Sequence, residues 1–285
     1  MYIVVNFYKV QKSYNIIMQF IDSHAHLCDP AFDTDRKQTI TRVLDAGITK
    51  FIEIACQVDE WEGGLALAGK YPANCAVALG IHPEFARSWT PQEHARLAEL
   101  LKDPRAVAVG EIGLDYVYLH ETDKDTQIRV FEQMLLLANN VQKPIVLHVR
   151  REGQENEPYT RTFEMLKQIW KPAATLKKPG VLHCFSAEYD IAKQALDHGF
   201  LLGINGCFTY KKNEYIREAV KKAGADKLML ETDCPYLSPQ GKRGTRNDPS
   251  NIPLIAQWVA DYLNMPVEKL AEITAQNTLD LYGLK

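Results

Sequence analysis

The sequence predicts an α/β fold: a (β/α)8 TIM barrel forming a single domain. Eight short runs rich in Val, Ile and Leu recur along the chain, each followed by a polar loop and a segment of helical period. That is the pattern of βα units wound around a buried parallel sheet. A length of 285 residues with 46% hydrophobic content suits one such barrel. An open doubly wound sheet shares the alternation but would carry a glycine-rich phosphate loop after its first strand. Here that position reads DSHAHLCD.

The strand-like runs begin near residues 19, 50, 75, 105, 143, 179, 199 and 227. The helical segments between them cover 33–46, 59–70, 91–101, 123–139, 160–170, 187–197, 213–222 and 251–262. A last helix over 267–282 follows Pro266. No Gly/Ser linker, low-complexity tract or repeat other than the βα alternation divides the chain, so residues 18–285 read as one unit. Residues 1–17 precede the first run and are expected to be an extension, either an upstream start or an added strand closing the barrel bottom. They have neither the long apolar stretch nor the cleavage site of a signal peptide.

Composition excludes some functions. A net charge of -3 gives no overall field for holding polyanions, so nucleic-acid contact would need a local patch. No apolar run reaches the roughly 18 residues that span a bilayer, so no membrane association is expected. Six cysteines without a CxxC pair fit reduced thiols and a cytoplasmic setting. No obligate protein partner is indicated.

In a parallel barrel, active sites assemble where strands end and βα loops begin. The first run, QFIDSHAH, ends in His24 and His26, whose spacing sends both imidazoles to one face. AVAVGEIGLD carries Glu111, PIVLHVR carries His148, GVLHCF carries His183 and KLMLETDCP carries Asp233. Any one alone is better read as a hydrogen-bonded core histidine or a helix cap. Together they place four imidazoles and two carboxylates at one barrel mouth. Unpaired burial there would cost about 1 to 3 kcal/mol per group, which a bound cation removes. No GxSxG elbow, Walker A loop or catalytic Cys–His pair is present, so the nucleophile is expected to be water.

In this order, FIDSHAHL, GIHPE, VGEIGLDY, KPIVLHVR, GVLHCFSA, LGINGCFT, LMLETDCPYLSP and RGTRNDP resemble the TatD-type metal-dependent deoxyribonucleases of the amidohydrolase superfamily. The resemblance runs from about Met18 to the C-terminus. It implies two divalent metal ions (Zn, Mn, Fe or Mg), one held by His24, His26, Glu111 and Asp233, the other by Glu111, His148 and His183, with Glu111 bridging. It also implies an exonuclease-type deoxyribonuclease acting on the 3′ or 5′ ends of single-stranded DNA. Glu111 and Asp233 are the expected catalytic residues, with Asp233 as base toward the attacking water. Cys28, Glu84 and the long stretch after His148 depart from the family pattern and bear on substrate preference rather than on the ligands.

Arg150, Arg243, Arg246, His82 and Tyr210 are the expected substrate-binding residues, with Arg151, Lys211, Lys212 and Lys242 as further basic candidates. For the two lysine-rich stretches, solvated surface charge is the better reading. Tyr116, Phe185 and Tyr210 could stack on bases or simply pack the barrel. Cys184 and Cys234 are expected to be small apolar fillers, because neighbouring strand residues face opposite sides. Two other readings keep the barrel: a metallohydrolase acting on a small ester, lactone or amide, and a non-catalytic metal-binding barrel.

Overall fold

Apolar runs buried on both faces become the strands of one parallel sheet. In the computed structural model, which describes residues 18–285, the strands are β1 (Phe20–Ala25), β2 (Ile48–Ala55), β3 (Cys75–Leu79), β4 (Ala106–Asp115), β5 (Ile145–Arg150), β6 (Gly180–Leu182), β7 (Leu201–Ile204) and β8 (Leu228–Leu230). They pair in sequence order, each parallel to its predecessor. The expectation for residues 1–17 lies outside the described residues.

The ring closes just beyond the last strand. Asp233 N–H donates to His24 O at 2.9 Å and His26 N–H to Cys234 O at 3.0 Å. Below these bonds Asp22 accepts from Thr232 N at 3.0 Å and from Thr232 Oγ1 at 2.5 Å. The seam between first and last strand is therefore sewn at the rim, by residues that flank or belong to the expected site.

The intervening helices are α1 (Arg36–Asp45), α2 (Trp61–Lys70), α3 (Pro91–Leu100), α4 (Lys124–Val141), α5 (Glu157–Ile169), α6 (Tyr189–Asp197), α7 (Glu214–Ala223) and α8 (Ile252–Leu263), with α9 (Val267–Tyr282) last. Strand alternation sorts the core into two layers. Ile52, Ile54, Ala76, Ala78, Val146 and Val181 meet inside the barrel together with Leu281 and Tyr282 of α9. Phe51, Val77, Leu79, Ile145, Leu147 and Leu182 point outward and join the apolar helix faces. Among the described residues, no helix is long and apolar enough to cross a membrane.

Candidate metal centre

Five strand ends deliver imidazoles and carboxylates to one point at the rim. His24 and His26 share a face, and their Nε2 atoms lie 3.2 Å apart. His183 follows β6 directly, with its N–H extending the ladder to Leu147 O at 3.1 Å. Asp233 follows β8 with φ 57, a left-handed conformation that Asp tolerates better than most residues. Its Oδ1 stands 3.4 Å from His26 Nε2 and 3.6 Å from His24 Nε2.

Glu111 reaches the centre through an irregularity in β4. The β4–β5 register pairs Gly110 with Val146 and Ile112 with Leu147, so Glu111 is skipped, and such a bulge re-aims a side chain. The close approach of the two strands also needs glycine at 113, where a Cβ would sit 1.9 Å from His148 O. Glu111 then divides its two oxygens. Oε1 lies 2.5 Å from His148 Nδ1 and 2.6 Å from His183 Nε2; Oε2 lies 3.3 Å from His24 Nε2 and 4.0 Å from His26 Nε2.

The electrostatics are those of a crowded donor set. Burial disfavours charge on Glu111, but His183, His148 and His24 outweigh it and hold the carboxyl well below its usual range. Asp233 is likewise held low, its burial overcome by His26 and the neighbouring imidazoles. Burial would lower His26, yet the Asp233 hydrogen bond and nearby carboxylates raise it to about 9. His24, stacked on His183 with ring centroids 3.9 Å apart, is pushed down by burial and by the charge of His183. Nitrogens also face each other at 3.1 Å between His148 Nδ1 and His183 Nε2. Lone pairs aimed at one another inside a protein need protons or a cation between them. The groups His24–Glu111–His183, His24–His26–Asp233 and His82–Glu111–His148 each have ligand atoms within 4.8 Å of one another. Imidazole nitrogens with carboxylate oxygens form a donor set suited to Zn, Mn or Fe.

Several supporting carboxylates were not singled out from the sequence. Fully buried Asp115 lies 2.8 Å from His148 Nε2 and fixes that ring. Asp22 accepts from His24 N at 3.1 Å, and burial raises its carboxyl to about 8 against these hydrogen bonds. Glu53 accepts from Leu27 N and Cys28 N, both at 2.9 Å, and so holds the loop after His26. Glu231 accepts from Cys184 N at 2.6 Å and Asn205 Nδ2 at 3.2 Å, with Oε1 3.7 Å from His183 Nδ1. The available signal was an acid embedded in an apolar run, as in FID, FIEIA, GLD and LET.

The centre forms the floor of a cavity of about 480 Å³. Of the expected substrate-binding residues, Arg150 and His82 line it. His82 Nδ1 accepts from Glu84 N at 3.2 Å, and Nε2 stands 4.0 Å from Glu111 Oε1, so it caps a turn and faces the centre at once. Burial and the neighbouring His148 push its pKa down to about 3.

The other three substrate-binding expectations lie elsewhere. Arg243 sits over the Tyr210 ring at 4.6 Å, the Tyr210 hydroxyl donates to Ser238 O at 2.9 Å, and neither residue lines the cavity. Arg246 is held by Asp35 through bonds of 2.8 and 2.6 Å and stacks on Phe32 at 4.4 Å. Tyr116 and Phe185 are buried packing residues. Arg151 pairs with Glu188 at 2.8 and 3.0 Å. Cys234 is buried, but Cys184 lines the cavity, contrary to the filler expectation, because φ 46 breaks the strand alternation there.

The family model for TatD related DNase matches residues 21–283. The uncharacterized metal-dependent hydrolase YabD of Bacillus subtilis is 31% identical over 263 residues, spanning 92% of this chain and 98% of the relative. The 3′-5′ ssDNA/RNA exonuclease TatD of Erwinia amylovora is 32% identical over 268 residues, spanning 92% and 99%. The crystal structure of YJJV, a TatD homologue from Escherichia coli K12, superposes with a TM-score of 0.85 at 28% identity, covering 95% of this chain and all of that one. With a match across nearly the whole barrel, the chain belongs to the TatD-related DNase family.

Proposed function

We propose that the chain is a two-metal phosphodiesterase that removes nucleotides from single-stranded nucleic acid, working from 3′ to 5′ ends. The observation that carries this reading is the division of Glu111: one oxygen faces His148 and His183, the other His24 and His26. In this reading His24, His26 and Asp233 would hold one ion, His148 and His183 the other, and Glu111 would contribute to both. Bound divalent ions supply what no side chain here offers, lowering the pKa of water from about 15.7 to about 7 and neutralising phosphoryl charge.

The protein's own groups do the rest. Asp233 stays ionised and faces the cavity, placed to accept a proton from an attacking water. Asp115 fixes the His148 ring so that Nδ1 points inward. Arg150, exposed at the rim, meets the phosphate. The polarity and the single-stranded preference rest on the named activity of the Erwinia relative. A nitrogen-rich donor set favours Zn, Mn or Fe over Mg, which prefers oxygen.

The test is metal analysis of the purified protein, followed by hydrolysis of single-stranded DNA, RNA and a small phosphodiester, with and without chelator. Chelator-sensitive release of nucleotides from 3′ ends is the expected outcome. Absence of bound metal together with inactivity on all three substrates would overturn the reading.

A further inference from the structure

A groove that follows a long polyanion needs a row of cations, because each phosphate must be met by a Lys or Arg. The cavity wall has one. Arg150 is the sole Arg or Lys that lines it among the described residues, and Asp29, Glu60 and Glu84 stand on the same wall. Three of the arginines outside it are committed to carboxylates, Arg36 to Asp33 at 2.6 Å, Arg151 to Glu188 and Arg246 to Asp35, and Arg243 sits over the Tyr210 ring without lining the cavity. The Arg150 guanidinium lies 4.0 Å from Asp115 Oδ2 and 5.9 Å from the centroid of the Tyr118 ring.

Aromatic surface accompanies that one cation. Tyr118, Phe85 and Tyr236 line the cavity, and Tyr236 is 57% exposed, with its hydroxyl 3.2 Å from Asp29 Oδ2. A base has a π face whatever its identity, so such rings bind it without reading sequence. A cavity of about 480 Å³ is the size of a small-molecule site.

From this geometry we infer that the site recognises a single terminal nucleotide unit, with one phosphate on Arg150 and one base against Tyr118 or Tyr236, so that its substrates extend down to dinucleotides. The inference rests on the phosphodiesterase reading and sets its footprint. Phosphates further along a strand gain nothing from the wall and are repelled by Glu60 and Glu84. Short single-stranded fragments, the products of a processive or endonucleolytic reaction, are then the substrate class that the site takes as readily as long strands.

The experiment compares kcat/KM for a dinucleoside monophosphate and an oligonucleotide of about 20 residues, using the full-length metal-loaded protein between about 50 and 200 mM salt. The expected result is kcat/KM values within about tenfold of each other per end, with a log–log salt slope for the longer substrate near -0.7 to -1.5, as for about one or two phosphates. Arg150→Ala should raise KM for both substrates alike, by about 10- to 100-fold with a smaller change in kcat, and Arg150→Lys should restore part of it. Glu60→Gln combined with Glu84→Gln should raise kcat/KM for the longer substrate more than for the dinucleotide. An inert dinucleotide beside an active long substrate, or a slope steeper than about -3, overturns the inference while leaving the phosphodiesterase reading intact. Hydrolysis of neither removes that reading, and the inference with it.

Discussion

Glu111 is the side chain on which both donor groups depend, since its two oxygens face separate pairs of imidazoles. Glu111→Gln should leave the circular dichroism spectrum unchanged and sharply lower bound metal, as measured by elemental analysis. Asp233→Asn should retain the fold and lower hydrolysis by about 100- to 10,000-fold, the range for a general base; near-normal turnover would remove Asp233 from that role. Asp115→Asn, which acts only through His148, should weaken metal affinity or activity by about 10- to 100-fold. In the metal-free chain His26 titrates at about 9, because Asp233 and the nearby carboxylates outweigh the effect of burial. A cation binding at neutral pH must therefore displace a proton from that imidazole, and affinity should rise as pH climbs toward about 9. Calorimetry in two buffers of different ionisation enthalpy measures the released protons.

At the scale of elements, the eight strands and nine α-helices of the described residues were legible because short apolar runs alternate with segments of helical period, whereas the 3-10 turns were not. Ends shifted where local chemistry intervened. The helix expected over 160–170 begins at Glu157, since Pro158 is tolerated in a first turn. The one expected over 33–46 begins at Arg36, after a separate 3-10 turn at Pro30–Phe32. For the site, alternation placed His24 and His26 on one face, but the turns that aim Glu111 and Cys184 depend on a register skip and a left-handed residue that no periodicity reveals. The surroundings of the basic loop motif were hidden for a different reason: the partner of Arg246, Asp35, is 211 positions away in sequence. Arg246→Ala should therefore lower stability by about 1 kcal/mol or less, as for a part-exposed ion pair, a fall in Tm of about 2 to 4 °C. KM for nucleic acid should not change; a large rise in KM would return Arg246 to the substrate.

At the scale of the molecule, charge and closure set the behaviour. A net charge of -3 and a cavity lined, among the described residues, by one Arg or Lys leave selectivity to the rim rather than to a surrounding field. Ions bound only by the folded barrel should stabilise it by about 2.7 kcal/mol at a hundredfold excess over Kd. Chelation should accordingly lower the melting temperature by several degrees, and added Zn or Mn should restore it. An unchanged melting curve would argue against ions held by the rim.

The hydrogen bonds joining Asp22 to Thr232 span 210 positions, and Asp233 and His24 meet at the same place. During synthesis the two histidines emerge early and wait for an aspartate that leaves the ribosome near the end. A product interrupted before residue 233 carries His24, His26, Glu111, His148 and His183 but lacks the aspartate that faces the first pair, and the bonds from Asp233 N to His24 O and from His26 N to Cys234 O cannot form. Barrel closure and a complete donor set are therefore both expected only once residue 234 has been made.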